Sequence, residues 1–325
     1  MCREGITHGE KELMHYKQLI KPLGTTALAI LGTYFQSSVC AADLGASSSQ
    51  PSELPLVAME KILQVQGTPT NGVLDFEISR DDVGAVHSPL NVTFDSKFEI
   101  NADAFFQPLS DGQAFLNGDM ALKVEEVNPF INQLLAHGLV FQAFHQHLPM
   151  NPQIWFVHFR GTGDPLELAQ ALKDALNVTS TPFPQRPPSH PKTPLDPMRL
   201  KNILQADEVS VGGEGVVTAW VYRKDTITID GVTVNPQANI STSVEFKPLG
   251  NDGTAAVVPD FSMTSEETVP VITRMLNDLG WLQGCLYNQE TAEQPQLYFD
   301  HMLKTGDAYE LATEIRQGLD LTDSE

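Results

Sequence analysis

The chain carries the same unit twice, and any fold it adopts has to accommodate that duplication. Gly72-Val-Leu-Asp-Phe-Glu-Ile-Ser-Arg80 matches Gly215-Val-Val-Thr-Ala-Trp-Val-Tyr-Arg223 at an offset of 143 residues, and Thr162-Gly-Asp-Pro-Leu-Glu-Leu-Ala169 matches Thr305-Gly-Asp-Ala-Tyr-Glu-Leu-Ala312 at the same offset. Between these anchors Phe106-Gln-Pro-Leu109 falls on Phe246-Lys-Pro-Leu249, Asp119 on Asp260, Glu126 on Glu267 and Pro129 on Pro270. Pro152-Gln-Ile-Trp-Phe-Val-His158 falls on Pro295-Gln-Leu-Tyr-Phe-Asp-His301. Self-similarity at a fixed period marks a repeat architecture, and the small drifts in offset are changes of loop length. Two tandem homologous repeats, 54–180 and 198–322, follow. The connector 181–197 holds seven prolines in 17 residues, which rules out a helix or an inner strand and predicts an extended link.

Each repeat reads as a mixture of helix and strand. A short helix opens it (56–64 and 195–205), and alternating β-rich runs such as 216–222 come next. A helix is predicted over 129–137, with Asn128 as its N-cap and Pro129 at the first helical position. Strands over 139–147 and 153–159 precede a last helix that Asp164, Pro165 and Glu167 start in a capping-box arrangement. The expected fold class is α+β: in each repeat a mostly antiparallel sheet with helices packed on one face, the two repeats related by pseudo-two-fold symmetry.

Charge narrows the partners. Lys and Arg number 20 against 41 Asp and Glu, a formal charge of −21. Such a chain has nothing to neutralise a run of phosphates, which excludes a nucleic-acid binder, and it is repelled by anionic lipid. Residues 1–42 follow the order of a secretory signal. Lys17 and Lys21 precede an uncharged stretch with an apolar heart over 23–35, and Val39-Cys40-Ala41-Ala42 supplies the small residues of a cleavage site. The heart falls short of the ~20 apolar residues that span a bilayer, so no transmembrane segment is expected in the mature chain. Ser37-Ser38-Val39 before Cys40 makes a poor lipobox, so a lipoprotein form is not expected. Glu4, Glu10 and Glu12 are foreign to a signal, which makes Met14 a more ordinary start than Met1. With a flexible linker at 43–53, the mature chain keeps Cys285 alone and can form no internal disulfide. The expectation is an exported protein, periplasmic or secreted.

Chemistry concentrates in the first repeat. His145 and His147 stand two apart, so on a strand both imidazoles share a face; His158 follows on the next strand, within cross-strand reach. Three neutral imidazoles meeting at one point hold a divalent metal of the zinc class, with a fourth position for water or a carboxylate. Glu126 and Asp119 are the carboxylates placed for a ligand or a general base. The competing reading is structural. His158 keeps its counterpart, His301, in a repeat that has lost both other histidines, and this reads as a residue serving the fold within a degenerate scaffold copy. Cys285, inside Trp281-Leu-Gln-Gly-Cys-Leu286, reads as a buried packing residue, and Trp155, Trp220 and Trp281 as core.

Gly118-Asp-Met-Ala-Leu-Lys-Val-Glu-Glu-Val-Asn-Pro129, then Phe144-His-Gln-His-Leu148 and Phe156-Val-His-Phe159, resemble the LppY/LpqO family of exported bacterial proteins, whose function is unknown. The resemblance covers both repeats and implies export and a shared fold; it supplies no reaction. Gln146 stands where the family usually has Asn. In the second repeat Tyr287-Asn-Gln289 replaces the His-x-His, Pro259 replaces the Gly, and Thr268-Val269 replaces Val-Asn. Two functions stay open: a metal-dependent hydrolase with His145, His147 and His158 as ligands and Glu126 as base, or a non-catalytic envelope protein that binds a small molecule or partner in the cleft between repeats.

Overall fold

Six strands from each repeat pair into one antiparallel sheet, and both sheets use the same strand order. In the first repeat these are β1 (Thr68–Thr70), β2 (Val73–Ser79), β3 (Asn101–Pro108), β4 (Ala114–Leu122), β5 (Val140–His145) and β6 (Trp155–Gly163), ordered β1-β2-β3-β4-β6-β5. The second repeat builds β7 (Glu208–Val211), β8 (Val217–Val221), β9 (Thr242–Pro248), β10 (Thr254–Thr264), β11 (Leu282–Tyr287) and β12 (Leu297–Asp307), ordered β7-β8-β9-β10-β12-β11. The computed structural model describes residues 53–186, 192–290 and 292–324. Residues 1–42, expected to be an export signal, and nearly all of the expected 43–53 linker lie outside the described residues, as do 187–191 of the connector. Among the described residues no helix is long and apolar enough to cross a membrane.

Three helices accompany each sheet: α1 (Leu56–Leu63), α2 (Val127–Ala136) and α3 (Pro165–Leu176), then α4 (Pro197–Leu204), α5 (Ser265–Ile272) and α6 (Ala308–Leu319). Strand β4 shows why they lie where they do. Its even positions Leu116, Met120 and Leu122 join Phe130, Leu134 and Leu172 of the helices in one apolar cluster. Its odd positions face the other sheet, where Phe115 meets Leu297 and Phe299, and Ala121 meets Val258 and Leu303. The period-2 alternation therefore puts hydrocarbon on both faces of the strand. A matching cluster joins the second sheet to α4, α5 and α6. The layers run helices, sheet, sheet, helices. Each buried Leu, Phe or Met contributes roughly 1.5–3 kcal/mol of transfer free energy.

Two details of the local reading change. Helix α2 begins at Val127, and Glu126 occupies its N-cap position without a side-chain cap bond. Pro129 thus lies in the first turn but not at its first position, where its missing N–H is still harmless because the first four donors have no intrahelical partner. At α3 the N-cap reading holds, Asp164 accepting from the backbone N–H of Leu166 and Glu167 after Pro165, and Asp307 does the same for Tyr309 and Glu310 at α6; the reciprocal capping box forms instead at α5, between Thr264 and Glu267.

Candidate metal centre between the sheets

An interface between two sheets is normally filled with interdigitated hydrocarbon. Here the apolar filling divides into two clusters with a polar strip between them. Along β4 the inward side chains run Phe115, Asn117, Asp119, Ala121, and along β12 they run Phe299, His301, Leu303; the first and last members of each series belong to the apolar clusters. Asp119 pairs with His158 across β4 and β6, and Asp260 with His301 across β10 and β12. The same His–Asp pair therefore stands at the same register on both facing sheets.

Four imidazoles collect there. His145 ends β5, and its Nε2 lies 2.8 Å from Nε2 of His158. His147, just beyond the strand, stacks on His301 with ring centroids 3.8 Å apart, and its Nδ1 lies 3.3 Å from Oε2 of Glu99. Two groups offer ligand atoms that all lie within 4.8 Å of one another: His145, His147 and His158, and Glu99, His147 and His301. His147 belongs to both. It is only 8% exposed, and its Nε2 is buried with no hydrogen-bond partner. Gly284 on β11 makes the crowding possible. A side chain there would strike the carbonyl oxygens of His147 and His301, so only glycine lets the second repeat approach this closely.

Burial sets the protonation states. It lowers His145 to about 4 and holds His147, His158 and His301 well below the ordinary imidazole value, with the neighbouring imidazoles adding repulsion. All four are neutral at pH 7, the form that ligates metal. Carboxyls in the same strip move the opposite way. Burial lifts Asp119 to about 7, and burial followed by like charges from Glu245 and Asp260 puts Glu99 well above its usual range. Both sets of shifts have one main physical cause, burial away from water, which penalises the charged form of each group.

Of the residues singled out from sequence, His145, His147 and His158 come together, and Asp119 lines the cavity of about 80 Å³ that holds His147, His158 and His301. Glu126 does not belong to this site. Its Oε2 accepts from Nη2 of Arg80 at 2.8 Å and from the Lys123 N–H, and its Oε1 accepts from Ser180. Burial opposes its ionisation, but the hydrogen bonds from Ser180 and Arg80 outweigh that and hold the carboxyl below its ordinary value. Glu267 repeats the arrangement with Arg223, Thr264 and Asp323. Replacing Glu126 by Gln removes one of the two carboxylates that pair the buried Arg80 guanidinium, while Asp82 keeps its own contacts; a loss of about 2 kcal/mol is expected with zinc affinity unchanged, checked by denaturant unfolding and a metal titration on the same variant.

The second repeat also places side chains against these histidines. Tyr287 pairs with Phe299 where His145 pairs with Phe156, so it is the structural counterpart of His145, and its ring stacks on His145 at 3.6 Å. Cys285 is not a simple packing residue either: its Sγ sits 3.5 Å from Nδ1 of His145 and 3.7 Å from Nδ1 of His301. Trp281 is core, as expected, whereas Trp220 lines a second inter-sheet cavity. Sequence reasoning did not single out Glu99 or Tyr287, and it read His301 as serving the fold; the structure sets the His301 ring against His147. The available signal was the recurrence of Asp119/His158 as Asp260/His301 on the two facing sheets.

No curated protein and no solved structure matches this chain. A family model does, once on each repeat, over residues 57–178 and 198–321. With both halves of the inter-sheet centre inside those matches, the chain belongs to the family described as Domain of Unknown Function (DUF1259).

Proposed function

We propose that this chain binds a divalent metal of the zinc class between its two repeats and uses it as a hydrolase. His145, His147, His158 and His301 are the nitrogen donors and Glu99 the carboxylate. One observation carries the reading: His147 Nε2 is buried and unpartnered among three other imidazoles that burial keeps neutral. A buried imidazole nitrogen without a partner is destabilising on its own, and a metal satisfies it. A metal-bound water ionises near neutral pH. Asp119, which lines the same cavity as His147, His158 and His301, would take the proton from a water held there, in place of Glu126. The resemblance to LppY/LpqO proteins and the signal-like residues 1–42 support work outside the cytoplasm, in the periplasm or the medium.

The test is metal analysis of protein purified without a histidine tag. About one zinc-class ion per chain is expected, absent from a His145→Ala/His147→Ala double variant. A metal-free protein that zinc does not stabilise would sink the proposal and leave a non-catalytic binder of a small molecule or envelope partner in the same cleft.

A further inference from the structure

The metal centre opens into a larger space. A cavity of about 170 Å³ runs between β2 and β3 on one side and β8 and β9 on the other. It shares Asn101, Asp103, Asn239, Ser243 and Glu245 with the smaller cavity that holds the histidines, so the two form one continuous cleft. Its volume far exceeds what a single ion or water fills.

The chemistry of its walls is one-sided. Asp75, Glu77 and Asp103 come from the first repeat and Glu245 from the second. The one basic side chain in the lining, Lys97, is already engaged: its Nζ donates to Ser79 Oγ at 2.6 Å and lies 3.4 Å from Asp81. Asp75 Oδ1 and Glu245 Oε2 are buried without any hydrogen-bond donor. The walls thus offer four carboxyl groups, which a bound cation would hold in their ionised form, and the one basic side chain among them is already engaged. Trp220 adds an aromatic face, which attracts cations through its quadrupole.

From this complementarity we infer that the cleft binds a ligand carrying several primary ammonium groups, reaching from Trp220 and Asp75 toward the histidines. An ammonium brings the positive charge that these carboxyls lack and three donors for their oxygens. An anion is repelled, and a neutral hydroxylated ligand brings no charge to offset the carboxyls. The ammonium groups come either from a linear polyamine or from an amino sugar without N-acetyl groups. The inference stands apart from the metal, because none of the walls named here is one of its ligands.

Calorimetry on the full chain separates the cases, with spermidine, the glucosamine trimer and the N-acetylglucosamine trimer as probes. At least one ammonium probe is expected to bind ten times or more tightly than the acetylated trimer. The Asp75→Asn/Glu245→Gln double variant should weaken it at least tenfold. Those amide replacements keep size and relieve like-charge crowding, so the fold should persist, and thermal unfolding checks it. Spermidine alone binding identifies the linear source; the glucosamine trimer alone identifies the amino sugar. Equal binding of the acetylated trimer, binding of neither ammonium probe, or an undiminished affinity in the double variant overturns the inference. Ammonium binding is expected to survive chelation and the His145→Ala/His158→Ala change, so it and the metal reading fail separately.

Discussion

His301→Ala is expected to weaken zinc binding about a hundredfold, as much as His158→Ala does. The two residues occupy matching positions, each paired across strands with an aspartate, and both line the cavity that holds His147. Structural zinc sites bind with about 10–16 kcal/mol shared among four donors. One donor then supplies about 3 kcal/mol, and each 1.4 kcal/mol is a factor of ten. His147→Ala should have the largest effect of all, since that ring belongs to both ligand groups. A competition titration against a chromophoric chelator at fixed pH measures each variant, with circular dichroism confirming the fold. If His301→Ala stays within about threefold of the unchanged protein while His158→Ala falls as expected, the centre belongs to the first repeat alone and the second repeat is a scaffold after all.

Much of this site was legible in the sequence, and the limit has a physical origin. A hairpin returns His158 to His145, a local relation that follows from the geometry of a pleated strand, whereas the strand expected over 139–147 ends at His145 and His147 reaches the site from the bend just beyond it. The α+β class and the two sheets follow from the same periodicity and from the duplication. Contacts between facing sheets obey no spacing rule. His145 meets Tyr287, and His147 meets His301, across more than 140 residues of chain. Glu99 was invisible because it precedes β3 outside any periodic segment and reaches His147 by a long-range approach. The error over Glu126 was avoidable. Arg80 and Arg223 recur with Glu126 and Glu267 in both repeats, and a basic and an acidic residue retained together suggest a structural ion pair before a base.

In chelator the metal-free chain should lose stability as pH rises from about 6 to 8.5, by a few kcal/mol. Asp75, Glu245 and Glu293 are each raised by burial to about 8, while their unfolded values are near 4. Between those limits the folded chain holds protons that the unfolded chain has released. Stability therefore falls with rising pH, by as much as about 1.4 kcal/mol per pH unit for each such group, and the fall ends once the folded-state values are passed. The histidines act in the other direction and in another window. Their folded values lie below 6.5, so they favour unfolding only as pH drops below that point. Together the two sets place the optimum of the metal-free protein on the acidic side of neutrality. A drop of about 5–10 °C in Tm between pH 6 and 8.5 is the corresponding thermal signal for a chain of this size. Zinc should flatten the curve, because the ion favours ionised carboxylates and neutral imidazoles, the forms that rising pH produces. A Tm that climbs steadily from pH 6 to 8.5 in chelator would mean that these carboxyls are ionised and compensated within the protein itself, which would remove the electrostatic reason for a cation between the sheets.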